Sequence, residues 1–547
     1  MIFVAEIYAA VDPEGTEQRF LFSTIPFHTG EGGSPANTPS YGRLMQPANF
    51  ERSIASGKLI FGLTETGYGE CVVANADGAF DILSTYGVDG RQFNLWASEQ
   101  QSSVLLHETF YTYGGWVRIF RCTMQSIVAD GDVLRVRLRE QFYDLNQKAC
   151  PVFAGTGGVE GTSDMTGQPK PMIWGGAYNV SPVLLSPSYL TYLVSATGSM
   201  AGNHLKDSGS VVARQLTSGA QENDAAANFA ALQGLSITVG HYATHATSGT
   251  LKLGSPPVGQ VTVDALSTVS ADPAEVIKAI LNSAGIATSG VYSQIDASDF
   301  SAVSTWASGA SSRVGIYARD TSTTYGQLIS ALAASIGAWI GYDRSGTIRI
   351  AIVVDPSGRT SALSIGMDDV ISIKRTTSGD AGRGVPFKSI TQKYPRNWTP
   401  QNSGLAGVVP ARVRGEIAEE FPLSTVTTCE QLSSSPPATI AITDQFTKAV
   451  DYPVDSYGIG RRVTSTGALE ATVPAPGSQF SALLGVPRDW IEVVIPFRIT
   501  DFELVEIGGC VTVTHPRYGL SAGKKFMVTA IRYSLAGNPT ATLTLWG

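Results

Sequence analysis

Phe502-Glu503-Leu504-Val505-Glu506-Ile507-Gly508-Gly509 leads into Val511-Thr512-Val513-Thr514-His515-Pro516-Arg517-Tyr518-Gly519-Leu520. After Gly523-Lys524-Lys525 come Phe526-Met527-Val528-Thr529-Ala530-Ile531 and Thr540-Ala541-Thr542-Leu543-Thr544-Leu545-Trp546-Gly547. Ala541, Leu543 and Leu545 alternate with Thr540, Thr542 and Thr544, the period of a half-buried strand. Pro516 to Gly519 carries turn chemistry between two such runs. The whole stretch reads as a compact β-unit.

The same texture covers much of the chain. At 547 residues it is too long for one hydrophobic core and predicts about three to five domains of roughly 100–200 residues. Charged residues make up 15%, against a usual share of about 25%. Glycine contributes 58 residues, and 43% of the chain is apolar. That composition excludes a disordered tail. It suits many short strands joined by turns, in a subunit that buries surface against neighbours, because interface cores are depleted in charge.

The net charge is −8 and no run of Lys or Arg stands out, so the footprint of sequence-specific DNA binding is missing. A weakly acidic protein is compatible with surrounding DNA in transit. The five cysteines (Cys71, Cys122, Cys150, Cys429 and Cys510) are odd in number, widely spaced and without a Cys-x-x-Cys pair. That pattern fits neither a zinc knuckle nor a disulfide framework and predicts buried free thiols, as in a reducing cytosol. Met1-Ile2-Phe3-Val4-Ala5-Glu6-Ile7 lacks a basic leader region and reads as a strand. No apolar run is long enough to span a bilayer as a helix.

Four segments follow from the pattern. Residues 1–148 are strand and turn, with Leu134, Val136 and Leu138 alternating against Arg135, Arg137 and Arg139. Turn signals stand at Asp77-Gly78, Asp89-Gly90, Gly114-Gly115 and Asp130-Gly131, as an antiparallel barrel or sandwich requires. Residues 149–270 open with a Gly-rich linker, continue as a second β-rich unit, and hold one Ala-rich stretch, Asp224 to Leu235, with helical character. Residues 271–375 form a small α+β unit. Asp272 caps a helix with Pro273 at its first position, Val276, Ile277, Ile280 and Leu281 form its apolar stripe, and Gly285 ends it. A second helix spans Thr324 to Ile336 and stops at Gly337, followed by strands at Ala338–Tyr342 and Thr347–Val354. Residues 376–547 return to β-structure.

The candidate chemistry is thin. Gly155 to Gly161 has the glycines of a phosphate loop but not the Gly-Lys-Ser/Thr that opens its helix, and reads as a connector. His241 and His245 have a zinc-helix spacing. They lie in a strand-like run, where residues four apart are separated by roughly 13 Å, too far for one ion. His28, His107, His204 and His515 have no companion at a telling spacing. Gly198-Ser199-Met200-Ala201-Gly202 fails the nucleophile-elbow spacing. Asp368-Asp369 and Glu419-Glu420 read as solvated pairs, and Asn397-Trp398-Thr399 as a formal glycosylation sequon. The arginine row is either the solvent face of a strand or a surface that meets an acidic neighbour. No residue stands as a catalyst, a cofactor ligand or a metal ligand.

A series of strings, in order along the chain, resembles the tail hub (tail tip) proteins of siphophages and gene transfer agents. They are Pro35-Ala36-Asn37-Thr38, Asn75-Ala76-Asp77-Gly78-Ala79-Phe80-Asp81 and Tyr86-Gly87-Val88-Asp89-Gly90-Arg91. Then come the Gly-rich loop with Lys170-Pro171, Trp174 to Leu185, Tyr394 to Pro400, and the closing Leu543-Thr544-Leu545-Trp546-Gly547. One departure is Gly508-Gly509, where family members commonly have Gly-Asp, so a carboxylate cap is absent here. The resemblance implies a mainly β, multidomain virion protein without enzymatic activity. It implies a homotrimer whose two β-domains per chain, 1–148 and 376–547, form a pseudo-sixfold ring around the DNA-exit channel. Implied partners are the distal tail or tail tube protein, the tape measure protein, a tip or central fibre protein, DNA in transit and the host envelope. Two alternatives stay open: a receptor- or glycan-binding tip protein, and a virion-borne cell-wall hydrolase. The first would need surface aromatics, whereas Trp96, Trp116, Trp174, Trp306 and Trp398 are scattered. The second would need a carboxylate or Cys/His site.

Overall fold

The computed structural model describes residues 1–28, 39–54, 60–98, 117–139, 142–198, 200–214, 228–267, 271–290, 293–309, 314–375, 389–394, 396–428, 440–443 and 479–547, the last without 481, 484–485 and 487. The fold is mainly β with several sheets, as the alternation predicts. Pro35 to Thr38, Gly114-Gly115, Trp116, Ser199, Cys429 and the start of the Ala-rich stretch lie outside the described residues.

Seven strands from the first 139 residues make one antiparallel sheet, in the order Glu17–Ser23, Ile2–Ala10, Gln92–Ser98, Val117–Asp130, Val133–Arg139, Cys71–Ala74, Leu44–Gln46. Leu134 and Val136 turn into the core and Arg135, Arg137 and Arg139 turn out, because successive side chains leave opposite faces of a strand. The turn at Asn75 to Asp81 is closed by its own side chains. Asn75 accepts from the Phe80 amide at 2.9 Å and donates to Asp81 at 2.7 Å, while Asp77 grips Arg43 through two 2.6 Å bonds. The sequence string at this turn is there because the backbone needs local caps and a left-handed Gly78, with φ of 68°.

The closing stretch lies inside the largest sheet, of ten strands. Thr540–Trp546 pairs on one side with Lys524–Ser534 and on the other with Trp490–Pro496. Its alternation is realised: Ala541, Leu543 and Leu545 are buried and the threonines half-exposed. One reading of this stretch is corrected. Ile499–Leu504 is a short helix, not part of the β-unit, and strand structure resumes at Cys510–Val513. Ile499 and Phe502 are three apart and both buried, so the apolar spacing there is helical.

The ten-stranded sheet draws on distant parts of the chain. Phe50–Ile54 pairs antiparallel with Lys524–Ser534, Gly62–Tyr68 follows it, and Ala338–Tyr342 joins Gly62–Tyr68 in parallel. Segments 1–148, 271–375 and 376–547 therefore share one sheet. One continuous apolar core runs beneath this sheet and the seven-stranded one, including Phe22, Phe93, Phe120, Phe526 and Leu543.

The middle of the chain makes two five-stranded sheets, one centred on Val261–Ser267 and Met172–Val180, the other on Thr250–Leu253 and His241–His245. Beside these sits the helical unit. Pro273–Ser283 starts with Asp272 accepting from the Ala274 and Glu275 amides, and its stripe of Val276, Ile277, Ile280 and Leu281 is fully buried. Tyr325–Ser335 begins in a capping box between Thr324 and Gln327. Ala338–Tyr342 follows it as expected, and the next strand, Ile348–Ile352, is shorter than the predicted run. A third helix, Ala297–Gly309, has no strong sequence signal. Its Ser- and Thr-rich text has weak helix propensity, and packing of Phe300 and Val303 holds it in place. In the Ala-rich stretch the described helix is Phe229–Gly234, capped by Asn228.

Cys71, Cys122, Cys150 and Cys510 are buried free thiols. Burial pushes the Cys71 thiol up to about 12 and raises Cys122 well above its ordinary range. Thiol labelling of the native protein is expected to be slow at these four sites and to become rapid on denaturation, since the thiolate is the nucleophile. Fast, stoichiometric labelling of Cys71 or Cys122 in the folded chain would contradict this.

Candidate assembly site

A convergence of charge and aromatic groups lies where the distant segments join. Arg52, on Phe50–Ile54, is 2% exposed and donates to Glu506 at 2.6 Å. It also donates to the Tyr342 carbonyl at 3.1 Å and lies 5.2 Å over the Phe50 ring. Arg344 approaches the same carboxylate at 3.7 Å and donates to the Phe502 carbonyl at 3.1 Å. The Arg344 carbonyl in turn accepts from the Arg121 amide at 2.9 Å. Burial pulls the Arg52 guanidinium pKa down, but the charge and hydrogen bond of Glu506, with Tyr533 and Asp343, together hold it above its ordinary value. The pair is walled by Phe50, Phe120, Phe502 and Tyr533, with Phe50–Phe120 centroids 4.9 Å apart and Phe502–Tyr533 5.1 Å apart. Gly508 closes the site. Its φ is 73°, and a Cβ there would come within 2.5 Å of the Trp339 indole. At this Gly-Gly the second glycine has little room either, since its Cβ would meet the Glu506 carbonyl at 2.8 Å.

A second node ties the middle sheets to the 396–420 segment. Asn179, with φ of 57°, donates to Asn397 Oδ1 at 2.9 Å and to the Thr399 carbonyl at 2.7 Å. Asn397 donates to the Ile417 carbonyl at 2.7 Å and is fully buried. The sequon asparagine is thus a structural clasp, closed to a glycan in the folded chain. Nearby, Lys206 is fully buried against Asp264 at 2.6 Å and lies 4.5 Å over the Tyr178 ring.

The other candidates are dispersed. His241 Nδ1 lies 3.2 Å from the Val239 carbonyl and His245 Nδ1 lies 2.6 Å from Ser248 Oγ, so the strand gives each its own partner. Gly155 to Gly161 is a tight turn in which Glu160 accepts from the Ala154 amide and Lys170, and only a single 3-10 turn, Ser163–Met165, follows, not the α-helix that receives a phosphate. Asp369 pairs with Arg498 and Glu420 with Arg396. The acidic neighbours of the arginine row belong to this same chain: Arg135 meets Asp130 and Glu70, Arg137 meets Glu70, and Arg139 meets Asp89. Among the described residues no three His, Cys, Asp or Glu side chains group to hold a metal, and no helix is long and apolar enough to cross a membrane. Trp174 is buried and Trp96, Trp306 and Trp398 are half-buried. Arg52 and Glu506 carried no sequence signal. They lie 454 positions apart, and only pairing of Phe50–Ile54 with Lys524–Ser534 brings them together.

No family model and no curated protein matches the sequence. Three solved structures of tail proteins align with most of the chain at low similarity. The 43 kDa tail protein of prophage MuSo2 from Shewanella oneidensis is 10% identical at a TM-score of 0.40, covering 100% of this chain and 98% of that one. A tail protein from Neisseria meningitidis MC58 is 8% identical at 0.37, covering 100% and 96%. Prophage tail protein gp18 from Listeria monocytogenes EGD-e is 7% identical at 0.28, covering 91% and 94%.

Proposed function

We propose that this chain is a structural subunit of a phage tail, of the hub type. In this reading three copies close into a ring that joins the tail tube to the tip and surrounds the DNA-exit channel. The observation that carries it is the joining of distant segments into one ten-stranded mixed sheet that shares a core with a seven-stranded antiparallel sheet, with the candidate chemical residues dispersed among local structural partners. Two β-units per chain would present six to a hexameric tube. In this reading those units, nominated from residues 1–148 and 376–547, would be the seven-stranded and ten-stranded sheets, the second of which also takes strands from the first segment. The order of the tail-hub strings supports the reading, and the strings at residues 75–81 and 174–185 lie at turns and joints of this framework. The partners would be the tail tube or distal tail protein, the tape measure protein and a tip or central fibre protein. DNA would pass without sequence-specific contact, and assembly would take place in the host cytoplasm. Such a part acts by its shape and needs no catalytic residue.

Imaging of intact particles tests this. Three copies around an axial channel at the tail end are expected, with acidic and neutral groups predominating on the channel wall. Six copies would mean one tube unit per chain, and a single copy off the axis would overturn the hub reading.

A further inference from the structure

A β-bulge in the first sheet sets two arginines side by side. Where Val117–Asp130 pairs with Gln92–Ser98, the register slips between Arg118 and Phe120. Residues three apart on a regular strand leave opposite faces. Here Arg118 stands opposite Trp96 and Arg121 opposite Asn94, on one face, while Phe120 turns into the core opposite Leu95. Re-aiming side chains in this way is a common use of bulges. The same face carries Glu6, which is 1% exposed. Glu6 accepts from Asn94 at 2.9 Å, Trp96 Nε1 at 2.7 Å and Tyr8 at 3.0 Å, and pairs with Arg19. That carboxylate holds the indole in place, and the Arg118 guanidinium lies over it, 4.7 Å from the ring centroid.

Arg118 is the unsatisfied member of this network. Its Nε is buried with no hydrogen-bond partner, and no carboxylate pairs with it among the described residues. Glu6 is already engaged by Asn94, Trp96, Tyr8 and Arg19. Burial, and then the charge of Arg121, hold the Arg118 guanidinium below its ordinary value. Two like charges side by side and partly out of water disfavour each other, and one anion shared between them reverses that. Arg121 is exposed and donates to Gln92 at 3.2 Å, so the pair opens to the outside. Planar guanidinium forks of this kind match a carboxylate. A nucleic acid would need a cationic track along its backbone. The rest of this face offers Tyr8, Gln92, Asn94 and Thr123, with Arg19 held by Glu6, and so provides no such track.

We propose that Arg118 and Arg121, backed by Trp96, bind an Asp or Glu side chain of another tail protein. The proposal rests on the tail-subunit reading for the kind of partner, not on copy number or ring closure. The purified full chain is titrated by calorimetry with an N-acetylated hexaglutamate peptide, with inorganic phosphate and with a single-stranded oligonucleotide. The peptide is expected to bind, and Arg118→Gln to weaken it at least about tenfold, as the loss of a charge-assisted bond implies. Arg121→Gln, at an exposed position, should weaken it in the same direction, and unchanged melting of either variant separates a lost contact from a lost fold. Absence of peptide binding, or equal affinity in the wild type and both variants, overturns the site. Preference for the oligonucleotide or for phosphate overturns an acidic protein as the ligand. In assembled particles carrying Arg118→Lys, carbodiimide should join the new amine to a carboxylate of a different protein. A link only to carboxylates of this same protein, Glu6, Glu99 and Glu108 included, or no link, overturns the partner. The expected link in a particle without three axial copies would overturn the hub reading alone.

Discussion

Arg52→Met is expected to cost about 1–3 kcal/mol, less than for a fully buried ion pair because Glu506 is 31% exposed. Glu506 would keep its charge at the junction with its buried partner gone, and the Tyr342 carbonyl would lose a donor. Arg344 reaches Glu506 only at 3.7 Å, so its compensation is weak. Urea unfolding followed by circular dichroism measures the effect. Arg52→Met combined with Glu506→Gln should lose less than the single Arg52 change, because the stranded charge is then gone. A single-variant loss below about 1 kcal/mol, the range of exposed pairs, would show that the junction does not depend on this pair. The prediction tests whether the distant segments behave as one cooperative unit.

The other large effect lies in the closing strand. Leu543 is 1% exposed and Leu545 0%, and each truncation to Ala is expected to cost about 2–5 kcal/mol through lost burial and a residual cavity. Trp546 and Trp490 face each other in the register of this strand and its neighbour, so they contribute to the tryptophan fluorescence that follows the transition. Removing residues 540–547 should be worse. The strand lies between Lys524–Ser534 and Trp490–Pro496, and its loss would open two apolar strand edges to aggregation. A truncated chain that remained soluble and assembled normally would contradict that central position.

Local structure was largely legible in the residues. The alternation at 540–546, the Asp272-Pro273 helix start and the Thr324 cap each arise from neighbours within one or two turns, and such signals survive without tertiary context. Two elements were not legible for the same reason in reverse. Ala297–Gly309 has little intrinsic helix preference, and Ile499–Leu504 is a single short helix whose i, i+3 spacing is easily overlooked between strands. Asn397 read as a sequon, because nothing local marks it as buried. Its partner Asn179 is 218 positions away.

By itself the sequence determined the mainly β character, the turns, the two strong helices and the scarcity of charge, since these depend on composition and on periods of a few residues. Tertiary structure alone decided that Phe50–Ile54 and Gly62–Tyr68 leave the first segment's sheet to join the last segment's, that Arg52 finds Glu506, and that the arginine row is met by acids of its own chain. The reason is physical. A half-buried strand specifies which of its faces is apolar but not which strand edge it will join, and that choice is made by the shared core all the segments fill.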